Sequence, residues 1–126
     1  MTNTTQKVQR RANSSGSSRM YITTPYRICE LPSAGFDQPF DPKKQVDFEY
    51  IGDDGQLIVK ELMADAGVSE LFLLGEVVFV EKEARASWRD VEPHVKATLE
   101  AAMGSPIEFV SDRTGLLIQS RQLANA

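Results

Sequence analysis

Ordered structure is expected to begin near Met20, where apolar and β-prone positions first become frequent. Tyr21, Thr23, Tyr26, Ile28 and Leu31 mark a strand-forming stretch, and Pro25 within it predicts an edge or broken strand. Residues 32–44 read as a loop: Pro32, Gly35, Pro39 and Pro42 punctuate it, and Phe36 and Phe40 stand four apart inside it. Residues 45–63 read as a hairpin around the turn Gly52-Asp53-Asp54-Gly55. That register sets Tyr50 opposite Leu57 and Phe48 opposite Val59, with Val46 on the same face. Asp47 then pairs with Lys60 and Glu49 with Ile58 on the other face. Val46, Phe48, Tyr50, Leu57 and Val59 are therefore expected in one core with Val91 and Val95 of the helix described next.

Asp65-Ala66-Gly67 reads as a turn. The near-continuous apolar run over residues 71–81 then predicts one long central strand, bulged or bent at Gly75. A short helix over residues 69–74 is the alternative for a run of that length. Residues 87–103 predict the single long helix, because Trp88, Val91, Val95, Thr98 and Ala102 fall on one stripe with Leu99 beside it. Ser87 followed by Asp90 resembles a capping box. Pro93 belongs in a first turn, which allows a start as late as Asp90, and Gly104 with Pro106 marks the end. A closing hairpin is expected from residues 107–111, a turn holding Asp112 and Gly115, and residues 116–121.

Together these elements predict an α+β domain with a mostly antiparallel sheet of roughly five or six strands built from hairpins and one long helix packed on it. A small barrel-like form, with the helix plugging a curled sheet, is the variant.

Charge divides the chain into two parts. Every acidic residue lies after position 29, and residues 1–20 carry only Lys7, Arg10, Arg11 and Arg19 as charges, or +4. The remainder is acidic, and the whole chain carries a formal charge of −4. Residues 1–19 are rich in Thr, Asn, Gln, Ser and Gly, too polar to offset the entropy of ordering. They predict a basic disordered arm ahead of an acidic globular domain over residues 20–126. The arm lacks the amphipathic pattern of a transit peptide and the apolar centre of a secretory signal. No apolar run is long enough to span a bilayer. A cytoplasmic protein, or part of an intracellular assembly, is the expectation.

Chemistry-bearing residues are sparse. His94 is the single histidine and Cys29 the single cysteine. His94 is expected in a surface pair with Asp90 one turn away, and Cys29 as a buried structural thiol. One histidine and one cysteine do not make a zinc site. The glycines form neither a phosphate loop nor a dinucleotide fingerprint, and the carboxylates have no calcium-loop spacing. No catalytic residue, metal or cofactor is assigned.

The expected function is a non-enzymatic protein-binding module: an accessory subunit of an assembly, an adaptor or an inhibitor. Lys7, Arg10, Arg11 and Arg19 of the arm would order on a partner. Phe36 and Phe40 are expected to plug the core, with an exposed contact surface as the alternative. The rival functions are a small nucleic-acid-binding regulator that uses the arm, and an acidic mimic of nucleic acid.

Overall fold

A computed structural model of the chain describes residues 5–12 and 18–111. Strand β1 spans Gln6–Ala12, β2 Arg19–Thr23 and β3 Ala34–Asp37. A 3-10 turn over Val46–Tyr50 leads into helix α1, Asp53–Met63. Strands β4, Val68–Leu74, and β5, Val77–Lys82, precede helix α2, Trp88–Met103, and β6 covers Ile107–Ser111. The six strands make one open mixed sheet in the order β3-β4-β5-β2-β1-β6. All neighbours are antiparallel except β1 and β6, which run parallel from Gln6↔Ile107 to Arg10↔Ser111. The fold is α+β, and the sheet of described strands is open rather than a barrel, with β3 and β6 at its two ends.

Two helices cover one face, where one was expected. The predicted hairpin over residues 45–63 is instead the 3-10 turn followed by α1. Gly52 is the N-cap of α1, and Asp53 and Asp54 occupy its first turn, where carboxylates favour the positive end of the helix dipole. The same Gly-Asp-Asp-Gly string that resembles a hairpin turn is thus a helix start. Past it, Gly55, Ile58, Val59, Leu62 and Met63 are buried, the three-and-four spacing of a helix stripe. The expected core set divides accordingly. Val59, Val91 and Val95 are buried, whereas Leu57 and Phe48 are half-buried. Val46 and Tyr50 are 66% and 63% exposed.

The predicted strand over residues 71–81 is a hairpin. Gly75 has φ +64° between β4 and β5, and a two-residue turn needs that conformation at its first position. A chain reversal, not a bulge, therefore divides the apolar run. Helix α2 follows its sequence signals more closely. The Ser87 hydroxyl accepts from Arg89 N at 3.2 Å, and Gly104 closes the helix in the left-handed conformation. The helix nevertheless starts at Trp88, so Pro93 lies within it rather than in its first turn.

Strand β2 ends before Pro25 and lies between β5 and β1, so the predicted edge position is not found. The expected loop over residues 32–44 contains the four-residue edge strand β3. Within the segment expected as an arm, Gln6–Ala12 is β1, paired with β2 on one side and β6 on the other. Val8, fully buried, anchors this polar strand to the core. The predicted strand over residues 116–121 and its turn lie outside the described residues.

Strand side chains alternate between the faces. Val8, Met20, Ile22, Phe36, Leu71, Leu73, Val78, Val80 and Ile107 point toward the helices. There they meet Ile58, Leu62, Val91, Val95 and Leu99 in one buried cluster. Fully burying each such side chain contributes about 1.5–3 kcal/mol relative to exposure.

Candidate functional site

The alternate strand residues form the opposite face, which no described helix covers. Strand pairing arranges them in three rows across the sheet. The first row is Asp37, Glu70, Glu81 and Arg19 on β3, β4, β5 and β2. The second is Gly35, Phe72, Phe79 and Tyr21, and the third begins with Leu74, Val77 and Thr23. Phe72 and Leu74 are 42% and 44% exposed, and Tyr21, Val77 and Phe79 are half-buried.

The second row is a continuous aromatic strip. Tyr21 and Phe79 meet edge-to-face with centroids 4.6 Å apart, and Phe72 meets Phe79 in the same way at 6.4 Å. Gly35 admits the strip's outer end: a Cβ there would lie 3.0 Å from Phe72 Cζ. The Arg19 guanidinium covers the other ring, 5.6 Å from the Phe79 centroid.

The first row is electrostatically uneven. Arg19 Nε donates to Glu81 Oε1 at 3.0 Å. The hydrogen bond shared with Glu70, then the one from Arg19, holds Glu81 below the usual carboxylate range. Glu70 is pushed above that range, first by its hydrogen bond with Glu81, then by burial and by the negative charge of Glu81 and Asp37. The two carboxyl groups, in adjacent strands, are thus shifted in opposite directions.

The residues singled out from the sequence do not gather into a site. Arg10 pairs with Glu92 of α2 and lies 5.7 Å from the centre of the Phe109 ring. Arg19 is engaged as described. Lys7 is exposed on β1, and Arg11 pairs through its backbone with Tyr21. Phe36 is buried in the core, the plugging position expected of it. Phe40 is half-buried and packs edge-to-face on Phe36 and Phe48, at 6.2 and 5.5 Å.

The His94 partner differs from the expected Asp90. Nδ1 lies 2.8 Å from Asp65 Oδ2 in the turn after α1, and Nε2 lies 3.9 Å from Glu61 Oε2. The imidazole therefore links the two helices, beside a shallow groove of about 160 Å³ lined by Leu57, Glu61 and Thr98 among others. Cys29 is buried, and burial pushes its thiol above its ordinary value, so it is a poor nucleophile. Among the described residues no group of three or more His, Cys, Asp or Glu side chains is placed to hold a metal ion.

Sequence reasoning missed the open face. One signal was available: in residues 71–74 both alternating sets are apolar, Leu71 with Leu73 and Phe72 with Leu74. A strand that is apolar on both sides can be covered on both sides, or on one side with the other left for a visitor.

No protein-family model matches this chain, and no curated protein sequence matches it. Among solved structures it is similar to the crystal structure of protein SAV1430 from Staphylococcus aureus. The TM-score is 0.51 at 19% identity, over 79% of this chain and all of that one. The solution structure of SAV1430 gives 0.49 at 19% identity, over 79% of this chain and 91% of that one. The solution structure of SeR13 from Staphylococcus epidermidis gives 0.45 at 14% identity, covering 72% and 92%. The likeness to the SAV1430 crystal structure is one of fold. No helix among the described residues is long and apolar enough to cross a membrane.

Proposed function

We propose that this chain is a non-enzymatic protein-binding module, an adaptor or accessory subunit, and that it engages its partner through the open face of the sheet. The observation that carries this reading is the aromatic strip of Tyr21, Phe79 and Phe72, flanked by Leu74 and Val77 and covered by no described element. Contiguous apolar surface of this kind on a small domain marks an interaction site, and aromatic side chains are the commonest anchors of protein interfaces.

The basic arm contributes less than its composition implies. Arg10 and Arg19 engage carboxylates of the same chain. That also weakens the nucleic-acid reading. Aromatic residues on a sheet can stack bases, but here a row containing Asp37, Glu70 and Glu81 runs beside them and repels phosphate.

The test is recovery of partners on affinity-tagged full chain from its own cells. Phe72→Ser combined with Leu74→Ser should abolish recovery of a partner that Lys96→Glu, on the exposed side of α2, retains. Identical partners on all three proteins would move the interface elsewhere.

A further inference from the structure

The chemistry of the partner can be read from the rows. Along a strand, side chains on one face repeat about every 6.6–6.8 Å, and neighbouring strands lie about 4.8 Å apart. The acidic row therefore runs parallel to the aromatic strip, about 7 Å from it. Its register positions hold three carboxylates and one guanidinium. The guanidinium is already bonded to Glu81 at 3.0 Å, at the end of the row away from Asp37. The surplus negative charge thus lies over β3 and β4, at Asp37 and Glu70, beside the exposed ring of Phe72.

The geometry points to a specific occupant: an apolar segment of a partner protein that seats aromatic or aliphatic side chains on Phe72, Phe79 and Leu74 and places a lysine or arginine over Asp37 and Glu70. This inference rests on the protein-binding reading and adds the partner's charge and spacing to it. In an extended partner segment the cation stands two residues from the anchor; in a helix it stands one turn away, about 5.4 Å along the axis. The strip provides the buried area. The acidic row selects against acidic segments, since unlike charges across an interface attract and like charges exclude. The perturbed titration of Glu70 agrees with this geometry, because an added cation relieves the crowding of negative charge that raises it.

The experiment uses the full chain as bait for phage displaying random 16-residue peptides. Enriched sequences are then made synthetically and titrated against the wild type and against Phe72→Ser, Leu74→Ser and Glu70→Lys. The last replacement sets a cation opposite Glu81, a favourable cross-strand pair, so the fold should tolerate it. The expected result is enrichment of apolar peptides of net positive charge. Phe72→Ser and Leu74→Ser should each weaken them, and Glu70→Lys should weaken them roughly tenfold with loss of the salt dependence. Peptides that lose binding with either serine variant but bind Glu70→Lys unchanged, or that are acidic, would overturn the charge assignment and leave the binding face standing. Binding indifferent to all three variants, or no enrichment at all, would overturn both. A concentration-dependent dimer abolished by Phe72→Ser would replace the partner segment with a second copy of the chain and overturn the inference.

Discussion

The two faces of the sheet are built from the same strands, yet they differ in what each residue does. On the helix side Leu71, Leu73, Val78 and Val80 are wholly buried. On the other side their immediate neighbours Phe72, Leu74, Val77 and Phe79 are exposed or half-buried. Hydrophobicity alone does not separate the two sets. What separates them is coverage: α1 and α2 close over one, and no described element closes over the other. The first set holds the fold together. The second is apolar surface that no described element covers, and the proposed binding face lies there.

The sharpest test of this division compares adjacent residues. Leu71→Ala should cost about 2–5 kcal/mol, the range for emptying a buried leucine site. Phe72→Ala one residue later should cost under about 1 kcal/mol, despite removing a larger side chain, because that side is already wet. Urea denaturation of both variants measures the gap. Equal losses would mean that the open face is covered in the free protein.

A smaller effect is expected where the helices meet the sheet. A Cβ at Gly67 would lie 2.8 Å from Val91 Cγ2. Gly67→Ala should therefore cost about 1–3 kcal/mol through overpacking, read from the same denaturation curves. Gly35→Ala, its counterpart on the open face, meets only the tip of the Phe72 ring. It should change stability by less than about 1 kcal/mol while shifting the ring resonances of Phe72 and Phe79 in NMR spectra.

The smallest effect concerns the acidic row, and its sign changes the other way from a core variant. The folded state raises the Glu70 carboxyl above its usual value, so it binds that proton more tightly than the unfolded chain does. For the wild type this gain is present at low pH and is lost as pH rises through the folded value. Glu70→Gln should accordingly be more stable than wild type at neutral pH by about 0.2–1 kcal/mol, the magnitude of a like-charge pair across strands. The advantage should vanish in mildly acidic buffer. Thermal melts at the two pH values decide it.

How much of this was legible in the sequence differs from element to element. Helix α2 was readable because its cap, stripe and stop are local: Ser87, the Val91–Val95–Leu99 spacing and Gly104 lie within one segment. Helix α1 was not, because Gly52-Asp53-Asp54-Gly55 satisfies both a hairpin turn and a helix start, and Leu57-Ile58-Val59 has the β-branched character of a strand. Burial of Ile58 and Leu62 under a second helix decides between them, and that contact is not local. Strand β1 was hidden by its polarity, since Val8 is its one buried apolar side chain among those described and the strand is held mainly by backbone pairing on both sides. The candidate site was the least legible part. Its three rows exist only once β3, β4, β5 and β2 are in register, and no motif in any one strand announces them. The cations of the arm were visible from the start, but their carboxylate partners Glu92 and Glu81 belong to distant elements.

The pairing of β1 with β6 has a consequence for how the chain matures. The two strands are roughly a hundred positions apart in sequence. A ribosome adding about 5–20 residues per second takes roughly 5–20 s to deliver the second after the first. Until then one side of the N-terminal strand presents unpaired amides and carbonyls, the template on which nascent chains stick to one another. The cationic residues Lys7, Arg10 and Arg11 along that strand are the kind of side chains that discourage such association. The same positive charges that suggest an arm for a partner thus also line an edge that stays open until β6 has been made.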